Sequence, residues 1–417
     1  MGEFEVRCVG CGSVQPRYAM TCPNDCSLLR TYYRHKRLDI KPLPGIWRFI
    51  SWLPVSGWIE GTGGDSVTYK STGLAKELGL KNLYVSFSGW WPEIGARSAT
   101  CSFKDLEAPP TLQRLKERGD GAALVVASAG NTARAFAQAA SVARLPLVLV
   151  VPETALSRIW VTSDPEDFRR TILIGVSGDY YDAILAAERI SKLPGFAPEG
   201  GARNVARRDG MATVVLEAAL KIGSLPDHYF QAVGSGTGGI SAWEASMRLI
   251  EDGRFGERLP RLHLAQSIPN APIYYSWRGC KEEYCPACET FDDVLFNRRP
   301  PYDMAGGVRD ALNATKGEVY GISNPEAALA KRLFEDSEGI DILNAPAVAV
   351  AALKQAADSE AVQRDDMILL NITGGGLSRL REEMTLSTLK PDIIVSGQDE
   401  AVDYIKEVVR RREIETP

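Results

Sequence analysis

Ala99-Thr100-Cys101-Ser102-Phe103-Lys104-Asp105 sets one lysine in a run of mostly small residues, just after the Trp/Pro/Gly-rich stretch 89–95. A lone lysine is ordinarily a surface residue. Three glycine-rich segments further along give this one another reading. They are Ala127-Ser128-Ala129-Gly130-Asn131-Thr132, Gly234-Ser235-Gly236-Thr237-Gly238-Gly239 and Asn371-Ile372-Thr373-Gly374-Gly375-Gly376. Each follows an apolar run that reads as a strand.

Outward from Lys104 the chain alternates in an α/β manner. Residues 108–118 have helical spacing and stop at Gly119. The continuous apolar run 122–126 has the character of a buried parallel strand. A helix over 133–143 follows, then a strand over 147–151 closed by Pro152, a strand over 169–176 and a helix over 181–193. Gly210 begins a helix over 210–223. A strand over 229–233 runs into Gly234, with a helix over 240–251 behind it and a strand over 262–265. Helices over 325–338 and 345–357 precede the strand 367–372, which delivers Thr373. Before the lysine, 72–79 reads as a helical turn and 83–87 as a strand. This is the rhythm of parallel sheets with crossover helices. Residues 27–65 lack periodicity and read as an irregular arm. Residues 269–305 interrupt the rhythm as an insertion, and its Cys280, Cys285 and Cys288 are one ligand short of a closed metal site. Residues 400–412 read as a charged amphipathic helix with a solvated face.

The glycines at 234–239 let backbone N–H groups turn toward one centre and let an anion approach closely. The helix behind them adds positive potential. Gly234, Ser235, Gly236, Thr237, Gly238 and Gly239 therefore read as a phosphate loop. The spacing is not that of a dinucleotide fingerprint, and no Gly-Lys-Ser/Thr of a P-loop follows. Thr373, at a strand end, can hydrogen-bond a ring nitrogen without forcing it to protonate. Such a neutral ring suits elimination and replacement better than transamination. Asn131 can donate to a ring oxygen, while Ser128, Thr132 and the N–H groups of Ala129 and Gly130 suit a carboxylate at a helix start. Lys104 supplies an amine for an imine and, once released, a general base. Singly, each loop is ordinary strand-to-helix punctuation. Together and in this order they read as a site for pyridoxal 5'-phosphate.

The chain has 417 residues, which calls for two domains and a small appendage rather than one core. A formal charge of −5 gives no nucleic-acid footprint. No apolar run is long enough to span a bilayer. The start Met1-Gly2-Glu3-Phe4-Glu5 lacks the basic-then-apolar pattern of a signal peptide, so the expected location is cytoplasmic, with no membrane or nucleic-acid partner. The three histidines, His35, His228 and His263, are scattered and give no hydrolase or metalloenzyme motif. Four of the eight cysteines form the pattern Cys8-x2-Cys11-x10-Cys22-x3-Cys26. Two close thiolate pairs can close a tetrahedral zinc site, and Gly10, Gly12 and Pro23 suit its turns. Two readings stay open: a structural zinc ribbon, or a reduced hairpin docked on the main body without metal.

Ser102-Phe103-Lys104-Asp105, Ser128-x-Gly130-Asn131-Thr132, the phosphate loop and Thr373-Gly374-Gly375-Gly376 resemble the fold-type II pyridoxal-phosphate enzymes. The implied fold is α/β and tryptophan synthase β-like, with two parallel-sheet domains and here a small N-terminal Cys-rich hairpin. Segments 178–183, 338–340 and 344–347, with the N-terminal knuckles, look like those of threonine synthase. The chain departs from that family where Lys104-Asp105-Leu106-Glu107 replaces Lys-Asp-Arg-Gly, and where Arg97-Ser98-Ala99-Thr100-Cys101 replaces Asn-Pro-Thr-Gly. In this it resembles the threonine-synthase-like cysteate synthases, which make L-cysteate from O-phospho-L-serine and sulfite on a route to coenzyme M. The resemblance implies pyridoxal phosphate as cofactor, O-phosphoserine and sulfite as substrates and a homo-oligomeric enzyme. Both the leaving group and the nucleophile are oxyanions, which makes Arg97 the candidate cation beside Lys104. Residues 1–36 are then a zinc-ribbon-like segment, 37–108 with 209–417 the large cofactor domain, and 109–208 the small domain. The rival readings are threonine synthase itself, acting on O-phosphohomoserine, and a non-enzymatic zinc-ribbon interaction protein.

Overall fold

The computed structural model describes residues 3–281, 285 and 290–415. Cys288 lies outside the described residues. The N-terminal segment forms β1 (Phe4–Cys8), β2 (Val14–Gln15) and β3 (Leu29–Tyr33), antiparallel and in the order β2-β1-β3. Its apolar core is small: Val6, Cys8, Cys22 and Leu29, completed by Val205 of the main body. The expected set of four cysteines does not converge. Cys8, Cys11 and Cys22 come together with Asp25, and Cys26 is exposed outside the group. The cause lies in the spacing. A knuckle with two intervening residues returns the chain at position 25, and the extra residue carries Cys26 past the centre.

The arm that follows is core rather than periphery. Short 3-10 turns over Gly45–Trp52 bury Trp47, Phe49 and Trp52. The indole N–H groups of Trp47 and Trp52 donate to the carbonyls of Thr62 and His35, each at 2.9 Å, so both rings are buried at no polar cost. Turns of this kind carry no 3.6-residue period, which is why the sequence shows no pattern there.

The main body then runs through β4 (Val67–Lys70), α1 (Gly73–Glu77), β5 (Asn82–Phe87), the hairpin β6 (Trp90–Trp91) and β7 (Ala96–Arg97), and α2 (Ala108–Arg118). Next come β8 (Ala123–Ala127), α3 (Asn131–Ala143), β9 (Leu147–Pro152), β10 (Trp160–Val161), β11 (Thr171–Val176), α4 (Tyr180–Ile190) and β12 (Phe196–Pro198). The chain continues with α5 (Val205–Ile222), β13 (His228–Ala232), α6 (Thr237–Asp252), β14 (Arg261–Ser267), α7 (Pro272–Arg278), α8 (Val308–Ala314) and β15 (Glu318–Ile322). It ends with α9 (Asn324–Glu338), α10 (Asn344–Asp358), β16 (Met367–Ile372), α11 (Leu377–Glu383), β17 (Ser387–Thr388), β18 (Ile393–Val395) and α12 (Gln398–Glu415).

Among the described residues the main body holds two larger sheets. One has the order β15-β14-β13-β16-β5-β4 and is parallel except where β4 meets β5. The other, β12-β8-β9-β11-β18, is parallel throughout. The residues of β9 are all buried, as strands covered on both faces must be. The second sheet corrects one expected boundary. Residues beyond 209 do not all stay with the large domain: β18 pairs with β11 and α12 packs on α4. The C-terminal end thus crosses to the smaller sheet, because the edge of β11 and the apolar face of α4 need cover that 109–208 does not supply.

This topology places the three loops. In the large sheet β13 lies beside β16, so the turns after them, at Gly234 and Thr373, are neighbours. The Ser128 turn follows β8 of the other sheet. Ligands of parallel α/β sheets bind outside such carboxyl ends.

Candidate active site

Lys104 sits on a 3-10 turn, Phe103–Leu106, where its backbone N–H donates to Ser102 Oγ at 3.3 Å. The Thr373 carbonyl accepts the Phe103 N–H at 3.0 Å, and Ser102 forms a bridge with Gly374. A Cβ at 374 would lie 2.6 Å from the Cys101 carbonyl oxygen, so only glycine lets the two loops close on each other. Lys104 Nζ is 3.4 Å from Glu107 Oε2. Glu107 is wholly buried and also accepts from Arg207 Nε at 2.9 Å, while Arg207 holds Glu199 through contacts of 2.7 and 2.8 Å. Burial pushes the Lys104 amine below the ordinary lysine value, against the pull of Glu107. Burial also opposes the charge on Arg207, but Glu107 and Glu199 outweigh it and raise its pKa.

Lys104, the Ser128 turn, the 234–238 loop and Thr373 line one cleft that is partly open to solvent. Gly236 has φ 78°, and a Cβ there would overlap Val308. A Cβ at Gly238 would overlap the Gln231 amide, and one at Gly234 would lie 3.2 Å from the carbonyl oxygens of Val294 and Leu295. Glycine is thus needed to fold the loop against the start of α6, where N–H groups have no intrahelical partner. Ser235 and Thr237 share a hydroxyl hydrogen bond of 2.7 Å in the same loop. Gly239, expected with them, is not on the cleft wall. A Cβ there would lie 2.9 Å from Leu264, so its small size serves the packing of α6 on β14.

At the start of α3, Ser128 Oγ accepts the N–H groups of Gly130 and Ala133, both at 3.0 Å. Its lone pairs are used as a cap, and its hydrogen is what it can offer a ligand. Ala129, Gly130 and Thr132 line the cleft with it. Asn131 Oδ1 accepts from Arg134 at 2.6 Å, which leaves the amide nitrogen as the end able to serve a ligand. Arg134 is buried, with its guanidinium 4.4 Å over Trp160 and donating to the carbonyls of Arg158 and Thr100 at 3.1 and 3.3 Å. Burial pushes its pKa down to about 10.

Arg97 does not reach this cleft. It pairs with Trp90 in the β6–β7 hairpin, is exposed, and faces a different hollow beside Gly61 and Asp105. The chain reverses between Ser98 and Ser102, so nearness to Lys104 in sequence does not become nearness in space. The second cation on the cleft is Arg207, from the first turn of α5. Sequence reading missed it, and nothing local marks it. It also missed Tyr180, the first residue of α4, whose phenol lines the cleft and is pushed up to about 12 by burial. A signal exists there, since 178–183 resembles the corresponding segment of threonine synthase. From the insertion, Val294, Leu295 and Asn297 also line the cleft. Among the described residues Cys280 and Cys285 join no cluster of metal-binding groups.

The donor set fits pyridoxal phosphate: a half-buried amine, a tightly packed glycine loop at a helix start, and a hydroxyl at a strand end. Comparison with known proteins agrees. A family model described as "Pyridoxal-phosphate dependent enzyme" matches residues 68–374. The chain is 56% identical over 417 residues to a cysteate synthase of Methanothrix thermoacetophila, covering 98% of this chain and 100% of that one. It is 51% identical over 417 residues to a cysteate synthase of Methanosarcina acetivorans, covering 97% and 100%. Among solved structures, a pyridoxal 5'-phosphate-dependent aspartate racemase has a TM-score of 0.58 at 16% identity, covering 75% of this chain and 90% of that one. The processed form of threonine deaminase isoform 2 from Solanum lycopersicum has a TM-score of 0.58 at 18% identity, covering 76% and 86%. The two structural likenesses concern the fold.

Proposed function

We propose that this chain, which belongs to the cysteate synthase family of pyridoxal-phosphate-dependent enzymes, exchanges the phosphate of O-phospho-L-serine for sulfite, giving L-cysteate and inorganic phosphate. The observation that carries the reading is the convergence of Lys104, the 234–238 loop and Thr373 on one cleft. Lys104 would bond the cofactor, the 234–238 backbone would hold its phosphate, Asn131 its ring oxygen and Thr373 its ring nitrogen. Once bound, pyridoxal phosphate supplies an electron sink that acidifies the α-proton of an amino acid.

The chain's own residues do the rest. The depressed pKa of Lys104 favours a neutral amine able to take a proton at Nζ and return it. Glu107, 3.4 Å away, steadies that nitrogen when it is charged. The N–H groups at the start of α3 and the Ser128 hydroxyl suit the substrate carboxylate. In the net exchange a C–O bond to phosphate breaks and a C–S bond to sulfite forms, with no external oxidant or reductant. Arg207 faces the cleft but is already neutralised by Glu107 and Glu199, so incoming anions depend chiefly on backbone N–H groups and hydroxyls. The same reading has the protein working in the cytoplasm as a homo-oligomer on small molecules. Among the described residues, no helix is long and apolar enough to cross a membrane.

The test is phosphate release from O-phosphoserine and from O-phosphohomoserine, each with and without sulfite. Sulfite-dependent release from O-phosphoserine alone is the expected result. Release from O-phosphohomoserine, indifferent to sulfite, would overturn the reading in favour of threonine synthesis.

A further inference from the structure

The N-terminal cluster is independent of the cleft and of any reading of its chemistry. Its ligand atoms, the sulfurs of Cys8, Cys11 and Cys22 and a carboxylate oxygen of Asp25, all lie within 4.8 Å of one another. Cys11 and Cys22 sulfurs are 3.6 Å apart, and Cys8 Sγ is 3.1 Å from Asp25 Oδ1. Ligands around a tetrahedral zinc stand about 3.8 Å apart for sulfur pairs and somewhat less for a sulfur and an oxygen. The spacing repeats as well: Cys8-x2-Cys11 is matched by Cys22-x2-Asp25.

Polar hydrogens already surround the sulfurs, in the way that outer partners orient the ligands of a metal. The Asn24 N–H points at Cys22 Sγ at 3.4 Å, Gln15 Nε2 is 3.6 Å from the same sulfur, and Asn24 Nδ2 is 3.8 Å from Cys11 Sγ. The Ser27 N–H donates to Asp25 Oδ1 at 2.9 Å and fixes that carboxylate. A Cβ at Gly10 would lie 2.7 Å from Asp25 Oδ2 and overlap Ser27, so the first knuckle closes on the aspartate only because residue 10 is glycine.

We propose that Cys8, Cys11, Cys22 and Asp25 bind one structural zinc ion as a three-thiolate, one-carboxylate site, and that Cys26 is not a ligand. The three thiols release their protons to solvent as the ion enters, and no redox change accompanies binding. Four protein ligands leave no open position, so the ion holds β1–β3 together and takes no part in the reaction at Lys104.

The experiment uses the full chain with its cofactor bound, loaded with Zn²⁺ and dialysed against metal-free buffer. Wild type and Cys26→Ser are expected to retain about one zinc per chain. Asp25→Ala is expected to lose about tenfold or more in Zn²⁺ affinity, measured against a chromophoric chelator. Should Asp25→Ala fail to fold, Co²⁺ substitution of wild type and Cys26→Ser decides, because sulfur-to-cobalt absorption scales with the number of thiolates. Equal intensity in the two supports three thiolates. A fall of about a quarter in Cys26→Ser would make the site a four-thiolate one and overturn the proposal. Absence of bound zinc in loaded wild type would overturn it outright.

Discussion

Arg134 is buried beneath the cleft, and among the described residues no carboxylate hydrogen-bonds to it. Burying a cation in this way costs free energy that a structural role alone does not require. Its bond to Asn131 Oδ1 fixes which end of the amide serves a ligand. A hydrogen bond to a charged group contributes about 1.5–3 kcal/mol, so Arg134→Gln is expected to weaken cofactor affinity about tenfold or more. Titration of the stripped enzyme with pyridoxal phosphate, followed by its absorption band, measures this. An unchanged affinity and band would mean that Asn131 orients without Arg134. Lys104→Ala is expected to abolish turnover and the band of the protein-bonded cofactor while circular dichroism stays native; substantial turnover would remove Lys104 from its proposed role. At this scale the sequence was legible where cleft-lining residues sit in local motifs, as with Lys104, Ser128, Asn131 and Thr373. It was illegible where a side chain acts across the fold. Arg207 meets Glu107 from another helix, whereas Arg97, close in sequence, faces elsewhere.

Helix α5 shows the same limit for an element. The sequence suggested a start at Gly210, yet the helix begins at Val205, capped by Asn204, whose side chain accepts the Ala206 N–H at 3.0 Å. Asparagine is a common cap and was the overlooked signal. Gly210 lies inside the helix, where a Cβ would overlap the Leu106 carbonyl and lie 2.9 Å from Pro110. Its purpose is the close crossing of α5 over the Lys104 turn, and Arg207, three residues earlier, shares that face. Gly210→Ala gains at most about 1 kcal/mol in helix propensity. The overlap with backbone costs about 1–3 kcal/mol or more, so both melting temperature and kcat are expected to fall. An equal or higher melting temperature would show that the crossing tolerates a methyl group. Strands β13, β14 and β15 carry another buried array. His228 Nδ1 lies 2.9 Å from His263 Nε2, and His263 Nδ1 lies 2.9 Å from the Tyr320 hydroxyl. Burial depresses both imidazole pKa values, so the native state binds fewer protons than the unfolded chain. Stability from this array is present above the unfolded value of about 6.5 and is lost progressively as pH falls from there toward the depressed folded values. His263→Gln is therefore expected to flatten the drop in melting temperature between about pH 7.5 and 5.5. A drop as steep as in wild type would place the titration elsewhere.

For the whole molecule, the two-sheet plan followed from apolar runs and turn residues, because parallel strands covered on both faces leave that mark. The path of the C-terminal end did not, because the pairing of a three-residue strand depends on which sheet edge stands open. After β16 the chain leaves the large sheet, touches β10 through β17, and closes the edge of the smaller sheet with β18. Ile405 and Val395 are buried against Ile174, Val176 and Ile190, with Ala401 and Val402 beside them. Burial of a large apolar side chain contributes roughly 1.5–3 kcal/mol, so Val395 and Ile405 alone account for about 3–6 kcal/mol. Many proteins have a total stability only a few times that. The same contacts cover the edge of β11, whose Leu173 N–H also donates to Asp392 at 2.7 Å. Truncation after Lys390 removes all of this at once while leaving Lys104, the 234–238 loop and Thr373 in place. The expected result is a separation of the two halves in thermal unfolding. An early transition should come from the smaller sheet and its bared edge, with aggregation as protein concentration rises. A later one should keep the buried residues of β13 and β16 protected in hydrogen exchange. If the truncated chain instead unfolded in one transition at the wild-type temperature, the crossing would be ornament on a sheet already closed, and 109–208 would be a self-sufficient domain after all.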